Sequence, residues 1–302
     1  GNNGPIHQED VFTDLQVIGQ VPEDLNGLYV RNGPNAFYPP QWRYHAYDGD
    51  GMLHAVRFKQ GQVTYQNLWV QTSALKEEQA AGQALYAGLI DKPSLALRPG
   101  WGARGGLRDS SATDVIVHAG MALTTFYQCG EPYRLDARTL DFKGVDEWGT
   151  KIMADGGISA HPKVCPRTGD LLFFNYSKQA PFMHYGEVDC HNQLVHYIPV
   201  PLPGPRLPHD MVFTEHFAIL NDFPLHWDEA LLPEGKHKLR YFDQQPSRFA
   251  VVPRRGTPQT GIRWFECSPT YVLHWLNAWE EGDEIVLHGY HQKTPMPKAG
   301  YD

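Results

Sequence analysis

Short apolar runs, separated by glycine, proline, aspartate and asparagine, dominate the chain. Runs of this length that are rich in β-branched and aromatic residues are typical of β-strands, and turn residues at this spacing are typical of antiparallel sheets. The runs that predict strands are residues 28–30, 52–58, 63–65, 115–118, 121–127, 171–176, 217–220, 249–252 and 284–288. The pattern therefore predicts an all-β protein.

Turns and a single helix complete the predicted elements. Residues 58–63 and 117–121 each place a glycine between two apolar runs, which predicts two β-hairpins. Residues 73–87 are the best candidate for more than a turn or two of helix, with Ser73 as N-cap and with Glu77, Glu78 and several alanines after it.

The strand-rich units recur at intervals of roughly forty residues, which fits the blades of a β-propeller, although no strict repeat is present. A β-sandwich fits the same pattern. Proline and glycine clusters at residues 201–208 and 253–261 are predicted loops between units. The 302 residues are near the upper limit for one core, and we see no flexible linker. We therefore expect residues 1–302 to form a single domain or a piece of a larger one.

Composition excludes several classes of function. The net charge of −8 and the lack of a long basic run argue against nucleic acid as a partner. The four cysteines, Cys129, Cys165, Cys190 and Cys267, show neither C-x-x-C nor zinc-finger spacing, so reduced thiols in a cytoplasmic protein are expected. No run approaches the ~18 apolar residues that span a bilayer, and no secretory signal is visible.

Three histidines lie at the edges of separate predicted strands. His161 follows Ala160 and precedes Pro162, His209 follows Pro208, and His274 lies inside an aromatic and aliphatic run. Strands that converge on one axis would bring these imidazoles together. Imidazoles without a thiolate or nearby carboxylate partner suit Fe, Cu, Zn or Ni, and the ligand type does not choose among them. The alternative is three core histidines satisfied by backbone groups.

The same stretches carry a family resemblance. Residues 27–35 and 45–55 resemble the N-terminal signature of the carotenoid cleavage oxygenases, and the three histidine stretches resemble that family's ligand motifs in the same order. The resemblance runs from about Val21 to Leu287. It implies a seven-bladed β-propeller with Fe²⁺ on its axis, bound by four histidines and open to dioxygen. His161, His209 and His274 would be three of those metal ligands.

The chain departs from the family pattern at two places. The family's fourth histidine lies well beyond the third, so the resemblance implies a propeller truncated before its last blades, and His288 and His291 fit solvent-facing positions better than ligand positions. Gln128 occupies the place of a glutamate that usually accepts a hydrogen bond from a ligand imidazole. A glutamine carbonyl can accept that bond without adding negative charge, so the iron would be slightly more electron-poor.

The resemblance implies oxidative cleavage of a conjugated C=C bond, with dioxygen as co-substrate and two carbonyl products. Family members act on carotenoids and apocarotenoids or on stilbenes and phenylpropenoids, and one branch isomerises retinyl esters. Stilbene cleavers hold the phenol hydroxyl with a lysine at or beside Tyr127, where this chain has none, so a carotenoid or apocarotenoid is the first expectation. The alternatives are stilbene or phenylpropenoid cleavage, isomerisation, and a truncated propeller that only binds a hydrophobic ligand or a partner.

Residues 84–101 are largely apolar with a basic end. They lie about where family members dip into a membrane, which predicts peripheral membrane contact. Ordinary packing between blades is an equal alternative.

Overall fold

The computed structural model describes residues 4–100, 108–152, 156–228, 230–231, 238–256 and 261–295. Strands account for most of its regular structure. In chain order the strands are β1 (Val11–Phe12), β2 (Gly27–Asn35), β3 (Asp50–Lys59), β4 (Gln62–Trp69), β5 (Asp114–His118), β6 (Met121–Thr125), β7 (Tyr133–Asp136), β8 (Phe142–Val145), β9 (Lys163–Val164), β10 (Leu171–Tyr176), β11 (Met183–Val188), β12 (Leu194–Pro199), β13 (Val212–Phe213), β14 (Phe217–Asp222), β15 (Leu225–Trp227), β16 (Leu239–Tyr241), β17 (Ser247–Pro253), β18 (Arg263–Cys267), β19 (Tyr271–Glu281) and β20 (Glu284–Gln292). The helices are α1 (Ser73–Ala81), α2 (Glu147–Ile152) and a 3₁₀ turn, Pro93–Leu95.

Four antiparallel, four-stranded sheets follow one another along the chain. Their strand orders are β1-β4-β3-β2, β5-β6-β7-β8, β12-β11-β10-β9 and β13-β14-β17-β18, and β15-β16 and β19-β20 form two-stranded sheets. The predicted all-β class is confirmed. Each blade of a β-propeller is a four-stranded sheet, and the blades follow one another along the chain, as these four sheets do. The described residues contain four such sheets, so the count of seven blades stays an expectation from the resemblance. The extent of one domain over residues 1–302 also stays a prediction.

The predicted hairpins are present. The β3–β4 turn has φ of 49° at Gln60 and 74° at Gly61, and the β5–β6 turn has φ of 48° at Ala119 and 77° at Gly120. Positive φ at both central residues is the turn geometry whose twist matches that of antiparallel strands. The glycine therefore marks the turn in each case.

Helix α1 is shorter than predicted and begins with a different cap. The hydroxyl of Thr72, not Ser73, accepts the hydrogen bond from the Leu75 N–H at 3.0 Å, and Gly82 ends the helix in the left-handed conformation with φ of 68°. The Ser73 hydroxyl instead donates to Glu131 Oε2 at 2.8 Å. The predicted start at Ser73 is therefore confirmed, whereas Ser73 as N-cap and the predicted end at Ala87 are wrong.

The largest buried cluster joins the third and fourth sheets. It includes Phe174 and Tyr176 on β10, Tyr185 on β11 and Leu220 on β14, each at most 1% exposed. Aromatic and aliphatic side chains of this size bury much of the apolar surface that stabilises a domain. Because His161 precedes the third sheet and His209 precedes the fourth, this packing fixes the two segments relative to each other.

The apolar stretch at residues 84–101 has a buried part and an exposed part. Ala84, Leu85, Tyr86 and Ala87 are buried, whereas residues 90, 95 and 97 expose 40–51% of their surface. Trp101, part of the predicted membrane contact, lies outside the described residues. No helix in the described part of the chain has the length and apolar character needed to cross a membrane. Peripheral membrane contact therefore stays a prediction.

Two glycines of the N-terminal signature are packed directly against backbone atoms. A Cβ on Gly49 would lie 2.4 Å from the backbone N of Asn35, and a Cβ on Gly51 would lie 2.6 Å from the carbonyl oxygen of Ser111. Neither neighbour is the movable end of a side chain. The signature therefore contains glycine where the chain passes close to itself.

We expect Gly49→Ala to lower the free energy of unfolding by about 1–3 kcal/mol, because the methyl group overpacks a backbone contact. Urea denaturation would measure the loss. Gly33→Ala is the matched control, since its new methyl group would meet only the end of the Arg31 side chain, at 3.2 Å. Equal losses in the two variants would contradict the prediction.

Candidate metal centre

The three histidines are delivered by three different parts of the fold. His161 lies in the loop before β9, His209 in the loop before β13, and His274 within β19. The backbone of His161 has φ of 59°, a left-handed conformation that is uncommon for a residue other than glycine. Such conformations are typical of functional sites, where surrounding contacts hold them in place.

The structure brings the three imidazoles together. The Nε2 atom of His209 lies 3.1 Å from Nε2 of His161 and 3.1 Å from Nε2 of His274. The ring centroids are 4.8 to 4.9 Å apart in all three pairs. Within the described part of the chain, this is the one cluster of three or more histidine, cysteine or acidic side chains that could hold a metal ion.

Hydrogen bonding between the rings does not account for this arrangement. An imidazole Nε2 carries either one hydrogen or one lone pair, so His209 Nε2 can make only one good hydrogen bond to another ring. It lies at 3.1 Å from two. Two imidazole nitrogens that bind one metal ion at about 2.1 Å, at right angles, would lie about 3.0 Å apart. The observed separations fit a shared metal ion better.

Burial keeps the central imidazole neutral. Burial, together with smaller contributions from the neighbouring rings of His161 and His274, lowers the pKa of His209 to about 3. Burial also lowers the pKa of His274, with a smaller contribution from His161. Metal ions bind the neutral form of histidine, so these imidazoles are available as ligands at neutral pH.

Asp114 orients His161. Its Oδ2 atom lies 2.8 Å from Nδ1 of His161, on the side of the ring opposite the cluster. Burial alone would raise the pKa of Asp114, but the hydrogen bond and charge of His161 outweigh it and lower the pKa. A carboxylate at Nδ1 places the proton there and leaves Nε2 free to bind a metal ion. The expectation of imidazoles without a nearby carboxylate partner is therefore wrong for His161.

Asp114 was missed because it lies 47 residues before its partner. One signal could have found it: Asp114 is the residue before a predicted apolar strand, at the same kind of strand edge as the histidines.

We expect Asp114→Ala to weaken metal binding by about 10- to 100-fold, the usual effect of losing the carboxylate partner of a ligand histidine. Asp114→Asn should lose less, because its amide oxygen can still accept from Nδ1. Titration with Co²⁺ against a chelator would measure both. Asp141→Ala is the control, since that aspartate is exposed directly before β8, in the same sheet as Asp114. An unchanged affinity in Asp114→Ala would exclude the orienting role.

Gln128 is buried in the loop after β6, with 4% of its surface exposed. Its Oε1 atom has no hydrogen-bond partner among the described residues. The hydrogen bond to a ligand imidazole that the resemblance implies is therefore absent from the described part of the structure. The neighbouring Tyr127 N–H donates to Thr113 Oγ1 at 3.0 Å, so the loop lies against the segment that carries Asp114.

Comparison with known proteins decides the family. The model of the family described as "Retinal pigment epithelial membrane protein" matches residues 3–301. The chain belongs to this family. The resemblance to the carotenoid cleavage oxygenases is also confirmed, because similar proteins include enzymes named carotenoid cleavage dioxygenases.

Relatives in the family have two kinds of names. The chain is 32% identical over 310 residues to "Carotenoid 9,10(9',10')-cleavage dioxygenase 1" of Phaseolus vulgaris, covering 95% of this chain and 55% of that protein. It is 33% identical over 287 residues to an isoeugenol monooxygenase of Pseudomonas nitroreducens, covering 93% of this chain and 58% of that protein. The chain thus spans a little more than half the length of these relatives.

Solved structures of other proteins have a fold similar to that of this chain. A lignostilbene dioxygenase of Pseudomonas brassicacearum superposes with a TM-score of 0.80 at 28% identity, covering 94% of this chain and 58% of that chain. A cobalt-substituted ACO of Synechocystis also superposes with a TM-score of 0.80, at 25% identity, covering 98% of this chain and 63% of that chain. The chain therefore shares the fold of the matched part of these structures.

Proposed function

We propose that the protein is an iron-dependent oxygenase that cleaves a conjugated C=C bond of a carotenoid or apocarotenoid and forms two carbonyl products. The observation that carries this proposal is the convergence of His161, His209 and His274 in a chain that matches the family over residues 3–301. The nitrogen-only donor set suits iron among several metals, and the family likeness favours iron.

The residues of this chain have defined parts in the proposed reaction. His161, His209 and His274 would hold Fe²⁺ through their Nε2 atoms, and Asp114 would keep His161 in the tautomer that can bind it. When bound, the iron supplies the activation of dioxygen. An imidazole that binds a metal ion through a lone pair adds no negative charge, so the ion would keep its full positive charge.

The substrate proposal rests on apolar recognition. The side chains of Tyr38, Trp42, Tyr44 and Tyr86 line a narrow cleft between residues 36–48 and residues 84–91. Aromatic rings of this kind pack well against flat conjugated molecules. The carotenoid-cleaving names of the first relatives favour a polyene over a shorter substrate.

A second candidate is cleavage of an aryl alkene. The observation in its favour is the 33% identity to isoeugenol monooxygenase, equal to the identity with carotenoid-cleaving relatives. The missing lysine at or beside Tyr127 counts against a stilbene phenol, which would have no cationic partner at that position.

One experiment separates these proposals. Iron content would be measured by elemental analysis, and the iron-loaded protein would be incubated under ¹⁸O₂ with a carotenoid, an apocarotenoid, a stilbene and isoeugenol. Labelled carbonyl products from a polyene support the first proposal, whereas products from aryl alkenes alone replace it with the second. Absence of bound iron, or of any carbonyl product, would refute both and favour a module that only binds hydrophobic ligands.

A further inference from the structure

Asp210, the residue after His209, contacts the other two histidine segments. Its side chain is 2% exposed. Its Oδ1 atom lies 2.7 Å from Nζ of Lys163, and its Oδ2 atom accepts a hydrogen bond from the Trp275 N–H at 2.9 Å. Lys163 is two residues after His161, and Trp275 follows His274. One buried carboxylate therefore connects the segments that carry all three imidazoles.

We propose that Asp210 and Lys163 are positioning residues of the metal centre, which hold the three histidine segments at the spacing that one metal ion requires. The inference rests on the proposed function, because it assigns these residues a part in building that site. Both residues act through the histidines beside them. The ion pair holds the histidine segments in position, and the imidazoles are the metal ligands.

Asp210 is itself held rigidly. Its Oδ1 also accepts a hydrogen bond from the Met211 N–H at 2.8 Å, and its backbone carbonyl accepts one from Asn221 Nδ2 at 2.7 Å. Asn221 is a buried residue of β14. These bonds fix the carboxylate relative to the fourth sheet, so its contacts with Lys163 and Trp275 locate those residues relative to that sheet.

The contact with Trp275 falls where β19 is irregular. The pairing of β19 with β20 shifts register between Val272 and Trp275 and again between Trp275 and Asn277. Irregularities of this kind re-aim side chains and are frequent beside functional sites. The N–H of Trp275 donates to Asp210 at this position, so the carboxylate stabilises the backbone conformation that directs His274 towards the cluster.

The charge of Lys163 allows positioning to be separated from electrostatics. Removing a positive charge near a dication site should strengthen metal binding if electrostatic attraction alone decides the affinity. Positioning predicts the opposite, because a buried carboxylate without its cation is destabilised and will move or be reoriented. The sign of the change in affinity therefore distinguishes the two roles.

The test is a Co²⁺ titration, followed by absorption spectroscopy, of the 302-residue chain and of Asp210→Asn, Lys163→Met and Lys163→Arg. We expect the dissociation constant to rise by about 10- to 100-fold in the first two variants and to stay near that of the unmodified protein in Lys163→Arg. Glu78→Gln is the matched control: it alters another buried ion pair, with Arg108 at 2.5 Å. Its urea midpoint should fall while its Co²⁺ affinity is unchanged.

Each other outcome has a definite meaning. Equal or tighter Co²⁺ binding by Lys163→Met, or an equal loss in Glu78→Gln, would overturn the inference while leaving the metal centre intact. If the unmodified protein binds no Co²⁺, the metal centre, the proposed function and the inference all fail. Should Asp210→Asn not fold, the comparison of Lys163→Met with Lys163→Arg decides the question.

Discussion

Replacing His209 with alanine is expected to abolish metal retention. His209 is the member of the cluster whose Nε2 atom lies 3.1 Å from both of the other Nε2 atoms, and burial together with the neighbouring rings lowers its pKa to about 3. Loss of a partner that merely orients a ligand already weakens metal binding by about 10- to 100-fold, so loss of the central ligand should exceed that range. The proposed oxygenase activity should fall with the iron content.

His288→Ala is the matched control for this variant. His288 is an exposed histidine of β20, paired across the hairpin with Asn277. Elemental analysis after purification in iron-supplemented buffer would compare the two proteins, and circular dichroism would establish that both are folded. If His209→Ala keeps as much iron as His288→Ala, His209 is not a ligand.

The elements of the fold could be predicted because their signals are local. The strand at residues 171–176 and both hairpin turns follow from apolar runs and from glycine at the turn, which need no knowledge of distant residues. Helix α1 shows where this approach fails. Glu78 directs its side chain to the Leu85 N–H at 2.8 Å and to Arg108, so tertiary contacts organise the residues that the composition assigned to helix.

In the candidate site, too, some residues could be predicted from the sequence and others could not. The three histidines stand out because each has a proline or an apolar strand beside it. Asp114 and the pair Lys163–Asp210 do not stand out, because their contacts form only when the sheets pack together. The contact between Asp114 and His161 joins residues that are 47 positions apart. A sequence motif records which residue types a site uses, whereas partners supplied by other sheets have no fixed spacing to detect.

Arg108→Met is expected to destabilise the protein by about 3–5 kcal/mol, the usual cost of breaking a buried ion pair by removing one partner. Nη1 of Arg108 lies 2.5 Å from Glu78 Oε2 and 3.4 Å from Asp50 Oδ1, and Nη2 donates to the Asp48 carbonyl. Both carboxylates are at most 1% exposed. Without the guanidinium they would be left charged in a site that water does not reach.

The pH dependence of that loss follows from Glu78. Burial raises the pKa of Glu78, and Arg108 counteracts this, so removal of the guanidinium should raise the pKa further. A carboxyl whose pKa is higher in the folded protein costs nothing at a pH below its unfolded pKa, and the cost grows as the pH rises above it. The stability deficit of Arg108→Met should therefore be smaller at pH 5 than at pH 7.5.

Urea denaturation at the two pH values would measure this difference, with Arg167→Met as the control. Arg167 forms a surface ion pair with Glu215 at 3.3 Å, and the two side chains are 62% and 56% exposed, so its loss should have little effect. Adding Glu78→Gln to Arg108→Met should recover part of the deficit, because the unpaired carboxylate is then neutral at every pH. Equal urea midpoints for Arg108→Met and Arg167→Met would show that the buried network does not stabilise the N-terminal signature. A deficit that is the same at both pH values would instead place the cost outside Glu78, in the packing of the arginine side chain.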